Sequence, residues 1–217
     1  MLFDWGNDIF ESEKERNLYY KLFGGYFFNE LVPGFEQRLA QFCHLLDHPE
    51  HPDERQSQPL CLTAATTHVS FDNHAYLFEK WKEDRGELAD IIVHDRSTRT
   101  LVFIEAKVHS DFSYNKDIVE NSARIRAVRD GLGDCHAVHC LLIKQSKWKE
   151  VQRQVGNRNS QFAKLCADKD CTTRIVTWER FADICDNSTV SKFLGAQLKR
   201  LHPVPRYCFK DGWFECS

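Results

Sequence analysis

The 217-residue chain contains no uninterrupted apolar run near the roughly 18 residues that a membrane helix needs, so no membrane partner is expected. Its first twenty residues, MLFDWGNDIFESEKERNLYY, are acidic and polar, which is not the pattern of a secretory signal. Positive charge is not in excess: 29 basic residues face 32 acidic ones, for a net charge of −3. That balance excludes a uniformly basic coat for gripping a polyanion. No C-x2-C pair occurs, which leaves a structural zinc site without its usual spacing. The nine cysteines are odd in number, and Cys135/Cys140 and Cys166/Cys171 each enclose four residues. A disulfide framework is not expected; the cysteines read as reduced, mostly buried residues of a cytoplasmic protein. No internal repeat or low-complexity tract is present. With 42% apolar and 12% aromatic residues, the chain has enough for one compact domain.

The periodicity of the chain gives an element order. Residues 8–28 predict a helix, with Ser12 and Glu15 at capping-box spacing and Leu18, Leu22 and Tyr26 on one stripe. Pro33-Gly34 breaks the chain, and Phe35, Leu39, Phe42 and Leu46 carry a second helix. Residues 47–59, with three prolines, predict a loop. Residues 60–70 suit a strand and residues 73–85 a short helix. Strands at 87–94 and 100–108 flank the polar stretch Asp95 to Arg99. A helix at 115–131 follows, then the apolar run Ala137 to Ile143, which predicts a strand covered on both faces. A polar helix from Ser146 breaks at Gly156, resuming through Phe162 and Leu165. A strand at 174–178, helices near 179–186 and 189–201, and an aromatic tail complete the chain. The class this predicts is α/β with a mixed sheet in a single domain spanning residues 1–217.

The segment from Glu87 to Lys107 carries the chemistry. Side chains alternate along a strand, so Glu105 and Lys107 share one face with Leu101 and Phe103, while Val102, Ile104, Ala106 and Val108 take the other. A solvent-facing strand rarely sets large apolar groups beside its charges. If Arg96 to Arg99 form a four-residue loop, Asp95 pairs with Thr100 and Asp90 stands opposite Glu105 on the same face. A loop one residue shorter or longer sends Asp90 to the other face. Two carboxylates in that position repel, and a hard divalent cation relieves the repulsion. Mg2+ (or Mn2+) accepts a few carboxylate oxygens, keeps waters and leaves positions for a phosphate, with the Ala106 carbonyl as a further ligand. Lys107 beside such a metal can orient or deprotonate water and stabilise a pentavalent phosphorane-like transition state. Metal-assisted phosphodiester hydrolysis is the reaction class that suits this set.

Asp90, fourteen intervening residues and then Glu105-Ala106-Lys107 on a hairpin resembles the PD-(D/E)XK, or restriction-endonuclease-like, nuclease superfamily. The resemblance covers about residues 8–145, whose order of helix, three strands, helix and strand is that family's core; residues 146–217 are a C-terminal elaboration. Ala89 stands where the family often has proline. The resemblance implies a nuclease acting on DNA, or on RNA, with Asp90 and Glu105 as metal ligands, Lys107 as the catalytic lysine, and a homodimer for duplex cleavage. It also implies a helix-borne glutamate, best matched by Glu15, with Glu13 and Glu36 as alternatives. The polar helper that the family carries on the following helix, often Gln, would fall to Asn121 or Arg124, the latter as a phosphate contact. A lapsed nuclease fold serving as a binding or assembly module is the alternative.

Other polar residues read more plainly. The set Asp90, Glu105 and Lys107 could be a surface ion-pair ladder, but its flanks are too apolar for that. Glu87 suits an exposed strand start. His44, His48 and His51 suit exposed positions at a helix end and in the proline loop, and His136 and His139 suit satisfied core or edge positions. Charge is uneven: residues 1–59 hold eleven acids and five bases, whereas residues 144–164 hold six bases and only Glu150 as an acid. Lys144, Lys147, Lys149 and Arg153 are therefore candidates for contacting a nucleic-acid backbone, alongside the acid-free stretch 192–210. Trp148 suits core packing, with base stacking as the alternative.

Overall fold

The computed structural model describes residues 20–48, 59–71, 89–107, 111–133, 135–156, 171–184, 207–210 and 213–216. Its centre is a five-stranded mixed sheet in the order β1 (Thr67–Phe71), β2 (Ile91–Asp95), β3 (Thr100–Lys107), β4 (His136–Ile143) and β5 (Cys171–Thr177). The first three strands form an antiparallel meander, and β4 and β5 are added in parallel. Parallel neighbours need crossovers, and helices supply them. The turn Tyr114–Glu120 is π-helical and runs directly into α3 (Asn121–Leu132), which links β3 to β4. A 3-10 turn (Gln145–Lys147) and α4 (Trp148–Gly156) leave β4 on the way to β5. Thus the chain is an α/β protein with an open mixed sheet.

Strand alternation sends side chains to two helical layers. On one face Ile91, Val93, Val102, Ile104, Ala106, Val138, Cys140, Leu142 and Val176 form a single cluster with the N-terminal helices. These are the π-helical α1 (Tyr20–Phe27) and α2 (Phe35–Asp47), joined by Trp178 and Phe181 of α5 (Trp178–Ile184). Aromatic edges meet faces here: Phe23 and Phe181 lie 5.3 Å apart at 76°, and Phe27 and Phe181 lie 5.4 Å apart at 85°. Each fully buried ring of this kind contributes about 1.5–3 kcal/mol. The opposite face packs Leu101 and Phe103 on Ile125 and Val128 of α3, and Leu141, Ile143 and Ile175 on Ile118, Val151 and Val155. Trp148, partly buried, packs against the edge of this second layer.

Two buried cations tie the N-terminal helices to each other and to the sheet. Gly34 opens α2 at φ 80°, a left-handed conformation that suits glycine. One turn on, the Arg38 guanidinium donates to four carbonyls, those of Tyr26 (2.9 Å), Asn29 (2.8 Å), Val32 (2.8 Å) and Pro33. Arg174 of β5 donates to Asp47 at the end of α2 at 2.7 Å, and Asp47 also accepts the Leu60 amide. Cys43, Cys140 and Cys171 are buried in the core, and burial pushes the Cys43 and Cys140 thiols up to about 12.

Some boundaries differ from the periodic reading. The strand expected at 60–70 begins only at Thr67, because Thr63 to Thr66 form a turn whose donors serve Asp95. β5 begins at Cys171, and Trp178 belongs to α5 instead of the strand. The aromatic tail forms an antiparallel pair, β6 (Tyr207–Lys210) and β7 (Trp213–Cys216). The predicted helices at 73–85 and 189–201, and residues 8–19 of the first helix, lie outside the described residues. Among the described residues no helix is long and apolar enough to cross a membrane.

Candidate active site

The loop between β2 and β3 decides the register, and Asp95 holds that loop. Its buried carboxylate accepts from the Thr66 hydroxyl (2.7 Å), the Thr67 hydroxyl (3.3 Å), the Ser97 amide (2.8 Å) and hydroxyl (2.9 Å), the Thr98 amide (3.3 Å) and the Thr63 amide. Burial alone would raise this carboxyl's pKa, but the hydrogen bonds from Thr63, Thr66, Ser97 and Thr98 outweigh it and hold it far below the usual carboxylate range. Arg99 closes the turn at φ 52°. The loop therefore has four residues, with Asp95 paired to Thr100 and Ile91 to Ile104.

The paired register ends at Ile91 and Ile104, one residue short of Asp90 and Glu105. The strand bends there, and the Asp90 carboxylate accepts the Ala106 amide at 2.7 Å, in the place that a carbonyl of a longer β2 would take. Glu105 and Lys107 follow Leu101 and Phe103 onto the face covered by α3, beside Leu141 and Ile143 of β4. Lys107 is only 8% exposed. Its Nζ lies 2.6 Å from Oε1 of Glu105 and 3.3 Å from Oδ1 of Asp117. Burial would lower the pKa of the ammonium, but Glu105 and then Asp117 more than offset it, and the net direction is up. An ammonium held between two carboxylates suits orienting water or holding anionic charge.

Sequence reasoning missed Asp117. It is 1% exposed on the π-helical turn, and its Oδ2 accepts the Ser113 amide at 2.7 Å. A legible signal was Ser113 at N-cap spacing, with its hydroxyl accepting from Lys116, but nothing in the periodicity aims the Asp117 side chain at β3. The residues expected as helpers sit otherwise. Asn121 is buried with its side-chain amide on the Asp117 carbonyl (3.5 Å). Arg124 is half-buried, 3.8 Å from Glu120 and 3.4 Å from the Asn121 carboxamide oxygen.

Glu15, Glu13, Glu87 and His51 lie outside the described residues. Glu36 is exposed on α2, in the layer covering the other sheet face from Glu105. The His44 and His48 rings lie 4.4 Å apart at the end of α2. His139 departs from the expectation of a satisfied core histidine. It is buried on β4 with no hydrogen-bond partner on either ring nitrogen among the described residues, and desolvation lowers its pKa to about 4.

The basic stretch divides. Lys144 is 4% exposed, with its charge near Glu179, so it does not present the surface ammonium expected of a backbone contact. Lys149 and Arg153 are exposed on α4, and Lys147 lies 3.8 Å from Asp111. This helix is stitched to the segment that leads into Asp117: Gln154 accepts the Tyr114 amide and donates to the Phe112 carbonyl, both at 3.2 Å. Exposed bases and the Lys107 cluster thus share one side of the sheet.

Among the described residues no group of three or more His, Cys, Asp or Glu side chains converges as a metal cage. The donors present are Asp90, Glu105 and the Ala106 carbonyl, a set that matches Mg2+ held by one or two carboxylates and completed by water or phosphate. Comparison with protein-family models, with curated proteins and with solved structures gives no match.

Proposed function

We propose that this chain is a Mg2+- or Mn2+-dependent nuclease of the PD-(D/E)XK type that hydrolyses phosphodiester bonds in DNA. The observation that supports the reading is that Asp90, on the Ala106 amide, and the Glu105–Lys107 pair lie at the same end of the β2–β3 hairpin. The element order supports it: helix, antiparallel meander, helix, then a parallel strand beside β3 is the order of the restriction-endonuclease-like core. Asp90, Glu105 and the Ala106 carbonyl would hold the cation, which supplies Lewis acidity and a nucleophilic water when bound. Lys107 would orient that water and hold the developing negative charge. Exposed Lys149 and Arg153 would meet the DNA backbone, and Glu15 remains the candidate helix-borne ligand. A homodimer would cut both strands of a duplex.

The deciding experiment incubates purified protein with supercoiled plasmid, linear DNA and RNA, with Mg2+, Mn2+ or chelator. Cleavage needing the metal, and lost in Lys107→Met, is the expected result. One observation favours a second reading, a binding or assembly module whose site has become structural: the Lys107 ammonium is already compensated by two carboxylates. DNA binding without metal-dependent cleavage would select that reading, and cleavage of RNA alone would change the substrate.

A further inference from the structure

Lys107 has two carboxylate partners of different character. Glu105 is the nearer at 2.6 Å, yet its side chain is the more exposed, at 17% against 2% for Asp117. Asp117 is fixed by its own backbone: Oδ2 takes the Ser113 amide, and the Asp117 amide donates to the Ser113 carbonyl, both at 2.7 Å. The segment before it is pinned to α4 through Gln154. A cation on Glu105 would compete with the ammonium for the same carboxylate, since two positive charges on one oxygen repel. Asp117 would then be the counter-ion that remains.

We propose that Asp117 is the positioning residue for Lys107, holding the ammonium at the end of β3 independently of Glu105. The anchoring itself needs no metal; the exchange of partners at Glu105 rests on the metal-site reading above. Asp117 touches neither the substrate nor the cation. It sets where Lys107 points when Glu105 is otherwise engaged.

The test is the rate at which acetic anhydride labels each lysine in the metal-free protein, read by peptide mass spectrometry. Losing a buried charge-assisted hydrogen bond should raise Lys107 labelling about tenfold in Asp117→Asn, against about twofold in Glu105→Gln. Asp117→Glu should restore protection, and buried Lys144 should stay at its parental rate, which a general loosening would not allow. The proposal is overturned if Glu105→Gln exposes Lys107 as much as Asp117→Asn does, or if Asp117→Asn leaves it protected. If Asp117→Asn does not fold, Asp117→Ser, whose hydroxyl can still accept the Ser113 amide, is read in its place. Repeating the series with Mg2+ separates the two ideas. A metal-site failure appears as labelling and DNA that Mg2+ leaves unchanged, with the metal-free comparison still deciding Asp117.

Discussion

The Asp90 carboxylate accepts the Ala106 amide at 2.7 Å, so one proposed metal ligand also terminates the hairpin that carries the other. Fold and function make separable demands on this side chain. Any acceptor of the right length satisfies the amide, whereas a cation requires the charge.

Asp90→Asn should therefore keep most of the stability and lose most of the divalent-cation affinity. Asp90→Ala should lose both, with an unfolding cost of about 1–3 kcal/mol for the stranded Ala106 amide. Urea unfolding of the two variants, set beside Mn2+ titration, checks the split. Equal Mn2+ binding in Asp90→Asn and the parent would remove Asp90 from the metal site.

Asp95 should make the protein sensitive to acid. Its folded pKa is held below the unfolded value of about 3.9, so its contribution is complete above that value and is lost as pH falls through the folded pKa. Asp95→Asn should be less stable at neutral pH, by about 1–3 kcal/mol, and should lose less on going from pH 5 to pH 2. Stability measured against pH for both proteins tests this.

His139 works in a higher window. Its folded pKa of about 4 lies below the unfolded value of about 6.5, so above the unfolded value the imidazole is neutral in both states and protonation costs the fold nothing. Stability is lost as pH falls from there towards the folded pKa. His139→Leu should flatten the stability profile between those two values while leaving stability at pH 8 level or higher, since neither buried ring nitrogen has a partner among the described residues. A variant with an unchanged slope would contradict the assignment.

The Arg174–Asp47 pair joins β5 to α2 across one sheet face. Asp47→Ala leaves the nearly buried guanidinium without that carboxylate and should cost about 3 kcal/mol, seen as a lower urea midpoint. Because Asp47 is partly exposed and also accepts the Leu60 amide, Asp47→Asn should recover part of the loss.

Much of this architecture is legible in the sequence. Alternation along residues 100–107 separated Leu101, Phe103, Glu105 and Lys107 from Val102, Ile104 and Ala106, and the two groups do face different layers. The run from Ala137 to Ile143 announced a strand buried on both faces. Less legible were features made by contacts distant in sequence. The turn at 63–66 ends in donors to Asp95 about thirty residues away, so periodicity alone extended β1 too far. Lys144 reads as a surface base by composition but lies at the end of a buried strand.

Sequence by itself determined the alternation that puts Glu105 and Lys107 on one face, the element order and the clustering of bases after residue 143, because period and composition are local properties. Whether Asp95 pairs with Thr100 depended on the length of one loop, and the hydrogen bonds to Asp95 decided that. The Asp117 partner of Lys107 came only with tertiary structure. Hydrogen bonds and ion pairs act over a few ångström in space, and the crossover from β3 through the π-helical turn brings those two residues within that range.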